Sequence, residues 1–155
     1  MDTIPLLPDF LDLLRFLNEE RVEYLVIGGM AVNYHGYHRS TGDLDLWVAL
    51  APENQDRLAS ALQKFGFSSR SVAQRPLLEA SKFIRIGEQP IRVEIHGAIS
   101  GVDFNECYAN AEQCAIEGVD IRIIGLGDLR RNKMAAGRLK DQADLETLPT
   151  PKADG

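Results

Sequence analysis

Two glycines and two aspartates carry the densest chemistry in this 155-residue chain. Gly28 and Gly29 close the apolar run Tyr24-Leu25-Val26-Ile27, and Asp43-Leu44-Asp45-Leu46 follows after a short polar stretch. On a strand side chains alternate, so Asp43 and Asp45 point to one side while Leu44 and Leu46 point into the core. Carboxylates this close repel each other unless a cation lies between them or one is protonated. Hard divalent ions such as magnesium take one or two carboxylates together with substrate phosphates. Glycines that end a strand and open a helix let backbone N–H groups approach those phosphates. Together these parts point to metal-dependent chemistry on a nucleoside triphosphate. Taken alone, an Asp-x-Asp pair is more often a solvated strand end, and its neighbours are what favour a metal.

Further candidates surround this pair. Glu94 sits at the centre of Ile91-Arg92-Val93-Glu94-Ile95-His96, where a carboxylate needs solvent, a partner or a metal. Arg39 and Thr41 lead into the acidic strand, and Arg39 either binds phosphate or neutralises Asp43 and Asp45. His96 shares a face with Glu94 and either shuttles a proton or is a hydrogen-bonded strand-end residue. His35 and His38 lie in or beside the same loop, within reach of a substrate. Trp47 continues the Asp43 and Asp45 face, either stacking on a base or packing as a structural tryptophan. Lys133, Lys140 and Asp144 fall within an arc of about 40° on an uninterrupted helix. That arc is also what a solvated face with an i,i+4 ion pair looks like, and Gly137 could break the helix.

These residues need elements to hold them. Phe10, Leu13, Leu14 and Leu17 recur at helical spacing from Asp9 onward, which predicts an amphipathic helix after Pro8. Val22 to Ile27 reads as a buried strand, Met30 to His35 as a short helix, and Asp43 to Ala49 as a second strand. Pro52 opens a helix that Gly66 stops. Phe67 to Gln74 reads mostly as loop, with a strand at most at its start. Lys82 to Ile86 and Ile91 to His96 are expected as strands joined by a turn at Gly87-Glu88-Gln89-Pro90. In the second, Ile91, Val93 and Ile95 face one side and Arg92, Glu94 and His96 the other. Phe104 to Gln113 is expected as a helix capped by Asp103, followed by a strand at Val119 to Ile124. Asp128 is expected to cap a helix through Lys133 and Met134, with helical pattern continuing or resuming to Leu148. Residues 1–148 then form a single domain, and 149–155 a short flexible tail.

Composition sets outer bounds. Hydrophobic residues make up 45% and charged residues 26%, values of an ordinary globular domain. A net charge of -6 gives no global basic field, which argues against a non-specific nucleic-acid binder but leaves room for a local triphosphate pocket. Cys107 and Cys114 have no second Cys/His pair at zinc spacing, so they read as two buried thiols of a reducing compartment. The N-terminus lacks a basic region leading into a long apolar stretch, and no run is long enough to span a bilayer. A cytoplasmic location without a membrane partner is the expectation.

The order of these motifs resembles the nucleotidyltransferase superfamily that includes DNA polymerase beta. The match rests on Ile27-Gly28-Gly29, Asp43-Leu44-Asp45-Leu46 and Glu94. More narrowly, Tyr24 to Ala31, Arg39 to Asp45, Gly127 to Lys133 and Arg138 to Leu145 look like the bacterial branch containing the AbiEii toxins. The resemblance implies a mixed sheet flanked by helices, an α/β (α+β) fold. It also implies a transferase that moves a nucleoside monophosphate from an NTP to a hydroxyl acceptor, releasing pyrophosphate. Asp43, Asp45 and Glu94 would hold two magnesium ions, one sharpening the nucleophile and one steadying the leaving group. Gly28 and Gly29 would hold the triphosphate through backbone amides, with Arg39, Thr41 and Lys133 contacting the nucleotide; Lys140 and Asp141 are weaker candidates. The acceptor is left open among tRNA or another RNA end, a protein side chain and a small molecule. A toxin or antitoxin partner, or a second copy in a homodimer, would supply acceptor recognition. The rival functions are an antitoxin-like interaction module without catalysis and a regulator that senses NTP without turnover.

Overall fold

The computed structural model describes residues 8–36, 42–88 and 91–151. Leucine-rich periodicity produces the first helix, α1 (Pro8–Glu19), which buries Phe10, Leu11, Leu13, Leu14 and Leu17. Four buried residues then form β1 (Tyr24–Ile27), and the chain turns at Gly28 directly into α2 (Gly28–His35). The glycines therefore belong to the first turn of a helix that begins two residues before the expected start. The acidic strand is β2 (Asp43–Val48), followed by α3 (Pro52–Phe65) with Pro52 in its first turn and Gly66 at its C-cap. Next come β3 (Phe83–Glu88) and β4 (Ile91–His96), then α4 (Phe104–Ala109). The chain closes with β5 (Glu112–Ile116), β6 (Val119–Ile123), α5 (Leu126–Ala136) and α6 (Leu139–Thr147).

The strands form one mixed sheet in the order β3-β4-β2-β1-β6-β5. β1 and β2 run antiparallel, whereas β2 and β4 run parallel, as do β1 and β6. Antiparallel β3 and β5 form the two edges. Helix α1 packs on α3 and β6, α2 packs on β1 and β2, and α5 packs on α6. This is the mixed α/β sheet with flanking helices that the motif order implies.

Three expectations need correction. The helix from Phe104 stops at Ala109, and Glu112–Ile116 is a strand hydrogen-bonded to β6. Cys107 and Cys114 thus lie on different elements and share no helical face. Asp128 is not a cap: Gly125 occupies the N-cap, and Asp128 sits buried in the first turn, paired with Arg131. Gly87 and Glu88 extend β3, pairing with Arg92 and Ile91, so they are not turn residues; Gln89 and Pro90 lie outside the described residues. Asp103 does cap α4, its carboxylate accepting from the Glu106 amide at 3.1 Å.

Two buried amides stitch the sheet to its loops. Asn54 accepts from the Glu23 amide at 2.7 Å and donates to the Glu23 and Ala49 carbonyls, tying the start of β1 to the end of β2. Gln55 donates to the Leu50 carbonyl and accepts from the Leu77 and Leu78 amides, anchoring the irregular stretch between α3 and β3. Buried polar groups on this scale are stable because each finds partners.

Candidate active site

The parallel pairing of β2 with β4 builds the acidic face. Its register sets Asp43 beside Arg92, Asp45 beside Glu94 and Trp47 beside His96. Asp43 and Asp45 alternate with fully buried Leu44 and Leu46, and Glu94 alternates with buried Val93 and Ile95. Burial pushes the Asp45 carboxyl above its ordinary range. Glu94 and Asp43 reinforce that rise, and His96 and Lys140 oppose it.

Gly28 explains why β1 must end in glycine. Its φ is +66°, and a Cβ there would lie inside van der Waals contact with Asp45 Oδ2 and 3.1 Å from Asp45 Cβ and Cγ. Only a residue without a side chain brings the start of α2 this close to the carboxylate. The N-cap residue Ile27 makes no side-chain hydrogen bond to the first N–H groups of α2. Those groups are the standard receptor for an anion at a helix N-terminus.

The described residues place cations and an imidazole around the carboxylates. Arg92 Nη2 is 3.1 Å from Asp43 Oδ2, and Arg92 Nε is 3.5 Å from Glu94 Oε2. Arg85, half exposed on β3, reaches Glu94 Oε2 at 3.1 Å. His96 Nε2 lies 3.4 Å from Glu94 Oε1. One donor atom from each of Asp45, Glu94 and His96 lies within 4.8 Å of the other two. Two carboxylates and one imidazole, with the Gly28 gap beside Asp45, make a donor set that fits a divalent cation.

Across the cleft, the arc of Lys133, Lys140 and Asp144 on one helix does not form, because Lys133 lies on α5 and Lys140 and Asp144 lie on α6. Gly137, with φ +67°, ends α5 in the left-handed conformation, and α6 doubles back against it. Lys133 is buried, its Nζ 3.0 Å from Asp144 and 3.3 Å from fully buried Asp141. Asp141 also accepts from the Arg138 backbone amide at 3.1 Å and from Arg138 Nε at 2.7 Å. Burial alone would raise the Asp141 carboxyl, but the Arg138 and Lys133 hydrogen bonds outweigh it and hold it below the usual range. One cleft of about 440 Å³ has Gly28, Gly29, Asp45, Glu94, Lys133 and Lys140 on its walls, whereas Asp43 and Asp141 do not line it. Arg138 stands at its lip as the N-cap residue of α6, paired with Asp141 three residues on, a local capping signal that sequence reasoning missed.

The remaining candidates separate. Arg39, Thr41 and His38 lie outside the described residues. His35 is tied into the fold, its Nε2 2.7 Å from the Ile124 carbonyl oxygen. Trp47 is buried, donates to the Gly97 carbonyl at 3.3 Å and packs edge-on against Phe104, so it is structural. Both cysteines are free thiols, but only Cys107 is buried as expected and Cys114 is half-buried; burial and neighbouring Asp128 push the Cys107 thiol up to about 12, and burial raises Cys114 as well. No helix among the described residues is long and apolar enough to cross a membrane.

Comparison with known proteins bears on this geometry. The family model for "Nucleotidyl transferase of unknown function (DUF2204)" matches residues 7–152. No curated protein matches the chain. A crystal structure from Thermotoga maritima, described as a "putative nucleotidyltransferase", superposes with a TM-score of 0.62 at 18% identity, covering 92% of this chain and 94% of that one. At that identity the likeness establishes the fold.

Proposed function

The chain belongs to the family of nucleotidyl transferases of unknown function (DUF2204), and on that premise we propose that it moves a nucleoside monophosphate from an NTP to a hydroxyl acceptor. The acceptor hydroxyl gives up its proton to solvent as a bond forms between its oxygen and Pα, the bond from Pα to the bridging oxygen breaks, and pyrophosphate leaves. The observation that carries this proposal is the facing of Asp45 and Glu94 across the parallel register, with the Gly28-Gly29 helix start and Lys133 in the same cleft.

Each group has a task that its position suits. The N–H groups at the start of α2 bind triphosphate oxygens, and Gly28 lets them lie beside Asp45. Asp45 and Glu94 are the core of a metal set, with Asp43 on the same face in its ion pair with Arg92. A divalent ion there, magnesium in the simplest case, would sharpen the acceptor hydroxyl and steady the departing pyrophosphate. Lys140 and Arg138 at the lip attract the anionic nucleotide. Lys133, held by Asp141 and Asp144, sets a fixed positive charge in the wall. The acceptor class is an RNA end, a protein side chain or a small molecule.

Incubation with each α-labelled NTP, a divalent metal, and total tRNA or cell lysate tests the proposal. Label should pass to one acceptor class and vanish in the Asp43→Ala/Asp45→Ala variant. Saturable NTP binding without transfer would replace catalysis with sensing. Absence of metal-dependent nucleotide binding would overturn both.

A further inference from the structure

The strand register divides the acidic face into two rungs with different chemistry. On the lower rung the chain supplies its own cation, because Arg92 stands beside Asp43 and bonds it at 3.1 Å. On the upper rung Arg85 reaches Glu94 at 3.1 Å from half-exposed β3, but no cation is bonded to Asp45 among the described residues. Asp45 accepts no hydrogen bond and makes no ion pair among the described residues, although its surroundings are largely desolvated. Its neighbour across the ladder is Glu94, another carboxylate. His96 follows two residues on, on the same side of β4, with its ring nitrogen 3.4 Å from Glu94. The missing Cβ of Gly28 keeps the space at Asp45 Oδ2 open.

We propose that the metal centre of this chain is Asp45, Glu94 and His96, with Arg92 as the fixed counter-charge of Asp43, and that it prefers Mn²⁺ or Co²⁺ to Mg²⁺. The proposal deepens the nucleotidyl-transfer reading, and rests on it for the purpose of the ion but not for its binding. Magnesium is a hard ion that favours oxygen donors and gives up its waters reluctantly. An imidazole nitrogen shifts a site toward borderline ions, whose affinities climb along the first transition row. The donor atoms already lie within 4.8 Å of one another, so rotamer-scale adjustments bring them onto one ion. Arg85 competes for Glu94, but it is half exposed and can swing into solvent as the ion binds. Arg92 is different: it is less exposed than Arg85 and bridges Asp43 and Glu94, so withdrawing it would leave partly shielded Asp43 without its counter-charge. The lower rung therefore stays closed to a second cation.

The test uses the full chain, stripped of metal and without nucleotide. Co²⁺ is titrated in while its visible d–d absorption is followed, and Mn²⁺ and Mg²⁺ then compete for the site. Mn²⁺ should displace Co²⁺ at a concentration at least roughly 10-fold below that of Mg²⁺. His96→Ala should weaken Co²⁺ by about 10-fold or more and alter its spectrum, while changing Mg²⁺ affinity by less than about 2-fold. Asp45→Asn should abolish binding, and Asp43→Asn should leave it within about 3-fold of the parent. Circular dichroism of each variant guards against unfolding. Loss of binding in Asp43→Asn together with unchanged Co²⁺ binding in His96→Ala would overturn the proposal in favour of an all-carboxylate centre, as would failure of Co²⁺ to bind. The transfer assay separates the two ideas. Label transfer by the parent chain together with Co²⁺ binding unchanged in His96→Ala sinks this inference and leaves nucleotidyl transfer standing. Histidine-dependent Co²⁺ binding without any transfer does the reverse.

Discussion

Replacing Gly28 by alanine probes the contact on which the whole site depends. Two penalties arise at this position. The first is conformational: φ is +66°, and a side chain in the left-handed region costs about 1–2 kcal/mol. The second is steric. The new methyl would overlap Asp45 Oδ2 and press on Cβ and Cγ at 3.1 Å, forcing the carboxylate off its rotamer at a cost of about 0.5–1.5 kcal/mol. The sum is roughly 1.5–3.5 kcal/mol, and at about 2–4 °C per kcal/mol for a domain of this size the melting temperature should fall by roughly 3–14 °C. Gly118→Ala is the control, since Gly118 also has a positive φ (+80°) but nothing within 4 Å of its Cβ position. The difference between the two variants isolates the collision with Asp45. In an Asp45→Ala background Oδ2 and Cγ are gone, so the Gly28→Ala penalty should drop toward that of Gly118→Ala. The assay is chemical denaturation of all five proteins, with metal binding measured in parallel. Equal penalties for Gly28→Ala and Gly118→Ala, with metal binding intact, would refute the idea that Gly28 is there to admit Asp45.

Other expectations follow from the same geometry. Asp45 has a folded pKa above the ordinary 3.8, so the folded state binds its proton more readily than the unfolded chain. Metal-free stability should therefore decline as pH rises from about 4 through that raised pKa, and Asp45→Asn should flatten the decline in melting scans taken in chelator. Asp141 shifts the opposite way, so its stabilisation is present above its unfolded value and is lost as pH falls through the lowered folded pKa. Asp141→Asn should destabilise by on the order of 3 kcal/mol in urea unfolding, because Lys133 and Arg138 lose a buried partner. Trp47→Phe keeps an aromatic ring against Phe104 but loses the bond to Gly97; it should cost about 1 kcal/mol and leave nucleotide affinity unchanged. Weakened nucleotide binding in that variant would give Trp47 a direct role.

Legibility varied with how local the cause was. Alternation in Asp43–Val48 and leucine spacing in Pro8–Glu19 announce a half-buried strand and an amphipathic helix, because burial on one face is written at fixed period. Strand β5 was hidden because Glu112-Gln113-Cys114-Ala115-Ile116 is an edge strand with little buried surface, so no apolar alternation was required of it. Gly137 carried a readable signal, yet only the return of α6 along α5 shows that Lys133 meets both Asp141 and Asp144. The acidic trio could be picked out by residue type. Its partners could not: Arg92 reaches Asp43 through a parallel register that no local pattern encodes, and Arg85 reaches Glu94 from the neighbouring strand. His96 beside Glu94 follows from strand alternation and is legible, whereas their nearness to Asp45 is a product of that register.

The central claim is that this cleft transfers the α-phosphoryl group with its nucleoside. Parallel reactions with α-labelled and γ-labelled NTP, the same metal and the same acceptor mixture test it most directly. Label should reach the acceptor from the α position only, with one pyrophosphate released per transfer and none in Asp45→Asn. Label arriving from the γ position, or transfer that survives in Asp45→Asn, would contradict it.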